Sequence, residues 1–564
     1  MKFESYKYER PNMDDMQKSF ESALKQFTEA KHAQEQEKAI DQINKLRFDF
    51  GTMARLASIR HSIDTTDAFY DKEKDFFNQN SPKFSQLNNM YYKALVASPF
   101  KNELIKKKGR LLFDQAEQSI RTFSEAILSD LQEENALASE HQKLLASAQI
   151  DFDGEKRNLS QMSPFAQSPD REVRKAASKA VTAFYKANEA KFDEIYDKLI
   201  KVRTTIAKKL GYPSFTELAY DRLGRTDYDA SDVANYRKQV VESIVPLNTK
   251  LVKRKQKRLN LDPLYHYDLA LDYLSGNPTP KGKKDWLVKQ ASTMYKEMST
   301  ETDAFFSFMQ SRNLLDLEAK KGKAGGGYCT FIHNYDSPFI FANFNGTKHD
   351  VDVLTHEAGH AFQMYMSRHH EVPEYHMATM EVSEIHSMSM EFFAWPWIDK
   401  FFKEDTEKYK FSHLSQALGL IAYGVAIDEF QHEMYANPEM TIAERKTVWQ
   451  RIDKKYFPYK IYDDNAYLEA GNGWQGIMHI FAVPFYMIDY TIAQVCAFQF
   501  WVWSQDNKEA AWENYVKLCK AGGSKSFLDL LDLVNLQNPF TKGTLDQVIP
   551  KISHYLDNID DSTF

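Results

Sequence analysis

Apolar and charged positions alternate at helical spacing through most of the first 300 residues. In the segments 102–127 and 172–210, apolar residues recur three or four positions apart, and charged residues fill the opposite faces. This spacing predicts two long amphipathic helices, and Ser168-Pro169-Asp170 is a start signal for the second. The segment 150–159 differs, because Asp153-Gly154 separates two short alternating runs and predicts a β-hairpin.

The pattern changes near residue 324. The runs AGGGYCTFI and SPFIFANFNGT are rich in aromatic and β-branched residues and are divided by Gly, Pro and Asn. Such runs predict two or three short strands, and the glycines 325–327 are expected to form a loop before the first of them. After Thr347 the helical pattern returns and continues to the end of the chain. The sequence therefore predicts a mainly α protein with one small sheet in its middle and a linker near residues 276–280.

Composition excludes several classes of protein. The chain has 564 residues, which by length suggests about three or four domains. Its net charge of −7 gives no overall attraction to phosphate backbones or anionic lipid, so we expect neither a nucleic-acid nor a membrane partner.

The cysteine content and the N-terminal residues indicate a cellular compartment. Cys329, Cys496 and Cys519 are too few and too widely spaced for a disulfide framework, which favours a reducing compartment. The first eleven residues lack the apolar core of a secretory signal, so we expect a cytoplasmic protein. The apolar segment 484–503 is long enough to span a bilayer, but it contains Asp489 and two glutamines and is predicted to be a buried core helix.

The segment that carries chemistry is His356-Glu357-Ala358-Gly359-His360. Residues four apart lie one turn apart on one face of a helix, so both imidazoles can reach one metal ion. Glu357 lies next to them and can act as general base toward a water molecule. The apolar residues Leu354, Ala358, Ala361, Phe362 and Tyr365 fall on the opposite arc. The alternative is that both histidines are ordinary surface residues.

A metal site of this kind needs a third protein ligand. Gln363 and Met366 stand where metzincins have Gly and His, which excludes that class. The predicted helix 377–395 offers Glu384 and Glu391 on an otherwise apolar stripe, where burial is costly unless a cation offsets it. Glu381 at the edge of the stripe is a weaker candidate. Both favoured acids could instead pair with basic residues in a Met-rich core. The remaining nearby histidines are weak candidates for ligands: His369, His370, His376 and His386.

These motifs resemble the thimet-oligopeptidase family of zinc peptidases, in its oligoendopeptidase F and Pz-peptidase branch. The resemblance rests on HEAGHAFQ and on EIHSMSME, which begins 24 residues after His360. It implies one zinc ion held by His356, His360 and Glu384, with Glu391 orienting a ligand histidine. It also implies that FIFANFNGT is a strand that pairs with the substrate backbone. This chain has His386 where the family often has proline.

The segment GIMHIFAVPFYMIDYTIAQ resembles the part of the family that turns one histidine and two tyrosines toward the metal. His479, Tyr486 and Tyr490 match in order, and the two tyrosines are four residues apart and can share a helix face. By resemblance, these groups donate hydrogen bonds to the oxyanion of the reaction. The alternative is a buried aromatic helix whose hydroxyls are satisfied internally.

By resemblance we expect a two-lobed helical fold around a deep channel, with one small β-sheet beside the active-site helix at about 350–368. Residues 1–200 would form an N-terminal helical region and residues 201–564 the catalytic region. The predicted function is a zinc-dependent oligoendopeptidase that cleaves short peptides internally, with Glu357 as general base. The alternatives are a zinc carboxypeptidase or peptidyl-dipeptidase, and a catalytically silent peptide-binding protein.

Overall fold

Local side-chain caps and helical apolar spacing build most of this molecule. The computed structural model describes residues 1–564 and is mainly α-helical, with two small β-sheets. The helices of the first half are α1 Met13–Glu29, α2 Ala33–Ile63, α3 Ala68–Val96, α4 Lys101–Lys108, α5 Leu111–Arg121, α6 Leu128–Ala146, α7 Ser163–Ala166, α8 Arg171–Ala187, α9 Glu189–Lys209, α10 Phe215–Arg222, α11 Ala230–Arg258, α12 Lys284–Met298 and α13 Thr300–Ser311.

The second half contains the remaining helices. They are α14 His349–Ser367, α15 Met380–Phe393, α16 Asp399–Phe402, α17 Thr406–Ala436, α18 Ile442–Tyr456, α19 Ala466–Glu469, α20 Met478–Ala482, α21 Met487–Asp506, α22 Lys508–Ala521, α23 Phe527–Leu533 and α24 Thr544–Asp557. The strands are β1 Ile150–Phe152, β2 Glu155–Arg157, β3 Leu315–Glu318, β4 Tyr328–Ile332 and β5 Ser337–Phe344.

Both long helices predicted in the first half are interrupted. The segment 102–127 divides at Gly109, whose φ of +92° ends α4, and a β-carbon there would lie 2.7 Å from Tyr375 Oη. The segment 172–210 begins at its predicted cap, where Asp170 accepts from Glu172 N–H, but it divides at Asn188. The Asn188 side chain donates to Phe184 O, and its backbone leaves the helical region. Both segments are helical, but neither forms one continuous helix, so that part of both predictions was wrong.

The predicted hairpin is confirmed. Strands β1 and β2 pair antiparallel around Asp153 and Gly154, which both have positive φ, as a two-residue hairpin turn requires.

The central sheet has the order β3-β5-β4. Strands β4 and β5 are the predicted ones, and β3 was missed because it is only four residues long and precedes the glycine run. Strand β5 is parallel to β3 and antiparallel to β4. Because β5 lies in the middle of the sheet, the expectation that it pairs with a substrate backbone was wrong. That role is open only to an edge strand.

The C-terminal helices pack around α21, which is buried along most of its length, as predicted for the apolar segment 484–503. None of the helices combines the length and apolarity that crossing a bilayer requires. Helices α1 to α5 enclose a separate small core, which Val372 and Tyr375 of the second half join. The predicted boundary near residue 200 stays a prediction.

Candidate metal and active site

Helix α14 presents the HEAGH motif as its pattern predicts. Leu354, Ala358, Ala361 and Phe362 are buried against the core. The His356 and His360 rings lie 5.0 Å apart on the other side of the helix, and their side chains are 22% and 15% exposed. The histidines are therefore neither core residues nor freely solvated surface residues.

Gly359 allows α14 and α15 to approach closely. A β-carbon at Gly359 would lie 2.6 Å from His386 O and 2.6 Å from Ser387 Cα. Only glycine fits this contact without moving one helix. The close approach brings Glu384 of α15 opposite the two histidines.

The three predicted ligand side chains converge at one point. Glu384 Oε2 lies 3.2 Å from His356 Nε2 and 3.5 Å from His360 Nε2. One donor atom from each of the three residues lies within 4.8 Å of the others. Two ligands about 2.1 Å from a tetrahedral zinc ion lie about 3.4 Å apart, so this donor set fits one such ion.

Glu391 contacts His356, the ligand histidine that the resemblance implies it orients. Its two carboxylate oxygens lie 2.7 Å from His356 Nδ1 and 2.7 Å from His413 Nε2. Trp395 Nε1 donates to His413 Nδ1 at 3.3 Å, so the proton of His413 is on Nε2 and points at Glu391. With His356 Nδ1 engaged by Glu391, its Nε2 is the atom presented to the ligand cluster.

Sequence reasoning missed His413. It is a lone histidine on α17, 22 residues after Glu391, and no spacing rule connects the two positions. Its role follows only from the packing of α17 beside α15.

Glu357 lines the same cavity as His356 but has a different environment. It is buried, and its Oε2 has no hydrogen-bond partner within the protein. Burial, with the nearby charges of Glu384 and Glu391, raises the pKa of Glu357 to about 7, although His356 opposes this. A carboxylate with such a pKa can take up and release a proton near neutral pH.

His479, Tyr486 and Tyr490 form a cluster beside the ligands. Ring centroids are 5.8 Å apart for His479 and Tyr486, 6.2 Å for His479 and Tyr490, and 4.8 Å for the two tyrosines. Tyr486 Oη donates to Glu384 Oε1 at 2.8 Å, whereas Tyr490 and His479 line the cavity. Burial raises the pKa of both tyrosines, so their hydroxyls remain hydrogen-bond donors.

The cavity lined by His356, Glu357, His479 and Tyr490 has a volume of about 560 Å³. Its walls come from the residue before β4 and from α14, α15, α17, α20 and α21, and are lined by Gly327, Lys348, His349, Asp352, Val353, His356, Glu357, Met388, Glu391, His413, Gln416, Ala417, Leu420, His479, Met487, Tyr490 and Gln494. A larger groove of about 920 Å³ lies beside β3, and no histidine or cysteine lines it. Four of the predicted site residues, His356, Glu357, His479 and Tyr490, line the smaller cavity instead.

The weaker candidates lie elsewhere. The metal-ligand cluster contains neither Glu381 nor any of the four other histidines of the region. Burial and Asp489 raise the pKa of Glu381 to about 8, although Arg225 opposes this, which favours a neutral acid rather than a metal ligand. His376 instead contacts His333, with their Nδ1 atoms 3.1 Å apart.

A HEXXH helix that faces a cavity together with a glutamate from the following helix defines a metallopeptidase. Comparison with known proteins confirms the predicted resemblance, and the chain belongs to peptidase family M3. The family's sequence profile matches residues 165–548, and the profile of the peptidase M3 N-terminal domain matches residues 3–123.

Individual relatives agree with this assignment. A structure of Pz peptidase A solved with an inhibitor is 54% identical, covers 100% of both chains and superposes with a TM-score of 0.94. An oligoendopeptidase F homolog of Borreliella burgdorferi is 27% identical over 68% of this chain and 65% of that protein. The oligopeptidase PepF of Bacillus subtilis is 22% identical over 86% of this chain and 75% of that protein.

Proposed function

We propose that this protein is a zinc-dependent oligoendopeptidase that hydrolyses internal bonds of short peptides. The observation that carries the proposal is the convergence of donor atoms from His356, His360 and Glu384 within 4.8 Å of one another. Beside them, Glu357 has an unpartnered carboxylate oxygen and lines the same cavity as His356. Membership of peptidase family M3 supports peptide hydrolysis. The names of the relatives support oligopeptides as the substrate class.

His356, His360 and Glu384 would hold the ion. Imidazole nitrogens and one carboxylate are the ligand set that catalytic zinc sites use, with a fourth position left open. When bound, zinc supplies Lewis-acid activation of a water molecule and of the scissile carbonyl group.

Glu357 carries the proton in this mechanism. It accepts a proton from the attacking water and then passes it to the leaving amine. Burial favours the protonated form of this carboxyl group, which makes it a better proton acceptor than an exposed carboxylate.

The oxyanion is stabilised by the cluster beside the ligands. Tyr490 and His479 line the cavity and would donate hydrogen bonds to the carbonyl oxygen as it becomes negative. Tyr486 lies one hydrogen bond from Glu384 and is the alternative donor.

The free edge of β4 is the place where the substrate backbone would pair. Gly327 precedes this strand and lines the cavity, and a β-carbon there would be 3.8 Å from Glu357 Oε1. An extended peptide added at this edge would pass directly over the general base.

The three unpaired cysteines are consistent with the cytoplasm, where we place the protein.

The test is hydrolysis of an internally quenched peptide of about eight residues, blocked at both ends, before chelation, after chelation and after zinc is restored. The proposal predicts internal cleavage that chelation abolishes and zinc restores. If only free-ended peptides are cleaved, the protein is a carboxypeptidase or peptidyl-dipeptidase. If the zinc-loaded protein binds peptides without cleaving either kind, it is a peptide-binding protein.

A further inference from the structure

The turn that leads into α21 contains a strained residue. Phe485 has a φ of +65°, although it is neither glycine nor asparagine. For a bulky side chain this region is a genuine outlier, and it persists only where the surroundings hold the backbone in place. Strained residues of this kind concentrate at functional sites.

Two buried polar side chains hold the peptide groups on either side of this residue. Phe485 N–H donates to Gln431 Oε1 at 2.9 Å. Arg225 donates through Nη2 to Phe485 O at 2.7 Å and to Asp489 Oδ1 at 2.6 Å. Gln431 and Asp489 are 0% exposed and Arg225 is 4% exposed.

The Phe485 side chain is also held in place, by aromatic packing around its ring. It packs against Phe215, Tyr220, His432 and Tyr435, with ring centroids 4.8 to 6.5 Å away. Backbone and side chain are therefore held by separate groups, and relaxation to a negative φ would break contacts of both kinds.

The residue after Phe485 is Tyr486, and α21 then begins at Met487 and carries Tyr490. The φ of Phe485 sets the direction in which the chain enters Tyr486 and the first turn of α21. We propose that Gln431, Arg225 and Asp489 form a clamp that positions Tyr486 and Tyr490 toward the metal cluster. The clamp acts through the tyrosines and does not touch the substrate.

A buried ion pair is a weak source of stability compared with apolar packing of the same volume. The pair Arg225–Asp489 nevertheless lies in the core, with both side chains fully buried. Arg225 of this pair also donates a directional hydrogen bond to Phe485 O, and an apolar pair could not make that contact. This reasoning rests on the proposed peptidase function, because positioning matters only if the tyrosines take part in turnover.

The test uses Gln431→Met, which keeps the length of the side chain and removes the acceptor for Phe485 N–H. We expect kcat on the quenched peptide to fall at least tenfold, with KM and bound zinc changed less than twofold. In a Tyr486→Phe, Tyr490→Phe background the same substitution should change kcat less than twofold, because the groups it positions are already gone. A merely structural defect would lower kcat by the same factor in both backgrounds and would overturn the proposal.

The matched control is Gln239→Met. Gln239 is also a buried glutamine whose Oε1 accepts a backbone N–H, from Gly543, but it lies on α11 away from the tyrosines. It should leave kcat unchanged. If Gln431→Met does not fold, Arg225→Lys is measured instead, since lysine keeps the charge but cannot match the paired geometry of the guanidinium. Wild-type kcat in either clamp variant would overturn the clamp, whereas an inactive wild-type protein would overturn the peptidase function itself.

Discussion

Two glutamates of the cavity differ in their surroundings and therefore in their protonation. Burial alone would raise the pKa of Glu384, but His360, His356 and Tyr486 outweigh it and hold that pKa well below its usual range. The pKa of Glu357 is raised instead, to about 7, mainly by burial. The first acid is thus suited to bind a cation and the second to exchange a proton.

The first prediction concerns Glu357→Gln. The amide keeps the size of the side chain but cannot accept the proton, so kcat/KM should fall by about 10² to 10⁴, while zinc per chain stays at the wild-type value. Peptide hydrolysis and metal analysis measure the two quantities. Glu371→Gln, at an exposed position outside the cavity, is the control and should change neither. Full activity in Glu357→Gln would exclude it as the base.

The second prediction concerns His413→Phe. Phenylalanine can keep the stacking of His413 on Tyr409, whose ring centroid is 5.4 Å away, but it removes the donor to Glu391. Loss of a group that supports a metal ligand typically weakens metal binding by about 10- to 100-fold. A zinc competition titration measures this, with the surface variant His554→Asn as control. An unchanged zinc Kd would show that Glu391 orients His356 without His413.

At the level of elements, the sequence predicted α14 from its apolar face, α15 from its apolar stripe and α21 from a long apolar run. Contacts between distant segments were not predictable in this way. Gly109 ends α4 beside Tyr375, which is 266 residues away, and the pairing of β5 with β3 depends on a four-residue strand. The ligand spacing was visible in the sequence, whereas His413 and the strained Phe485 needed the packing of α17 against its neighbours.

The third prediction compares two glycines in helices. Gly359→Ala would place a β-carbon 2.6 Å from the α15 backbone, so α14 must move. We expect a loss of about 1–3 kcal/mol of unfolding free energy and weaker zinc binding, since Glu384 moves with α15. Gly419→Ala on α17 meets nothing within 4 Å and should gain up to about 1 kcal/mol from helix propensity. Urea denaturation measures both, and equal effects at the two sites would contradict the close-packing argument.

Across the whole molecule, the helices α1 to α5 are joined to the second half by a few polar contacts as well as by apolar ones. Arg47 Nη2 lies 2.6 Å from Glu374 Oε1, and both side chains are 11% exposed. Close to it, His333 Nδ1 lies 3.1 Å from His376 Nδ1, and Phe48 of α2 stacks on His376. His376 Nε2 donates to His370 O at 2.6 Å, so its Nδ1 is the acceptor and His333 Nδ1–H is the donor. This arrangement requires the His376 ring to be neutral, and burial favours the neutral form of His333 as well.

The fourth prediction follows from the burial of neutral His333. Burial, followed by the neighbouring His376, lowers the pKa of His333 to about 3, whereas an unfolded histidine has a pKa of about 6.5. Below about pH 6.5 the unfolded chain binds a proton that the folded chain does not, so lowering the pH favours unfolding. The stability that neutral His333 contributes is therefore complete above about pH 6.5 and is lost by about pH 3. The loss is at most roughly 1.4 kcal/mol per pH unit.

Urea denaturation at pH 7, 6 and 5 tests this with His333→Asn, whose side-chain amide can still donate to His376 but does not titrate. The unfolding free energy of the variant should fall less steeply with decreasing pH than that of the wild type. His554→Asn removes an exposed histidine and should keep the wild-type slope. Parallel slopes for the wild type and His333→Asn would mean that His333 contributes nothing to acid sensitivity. Acid unfolding would then start at other groups.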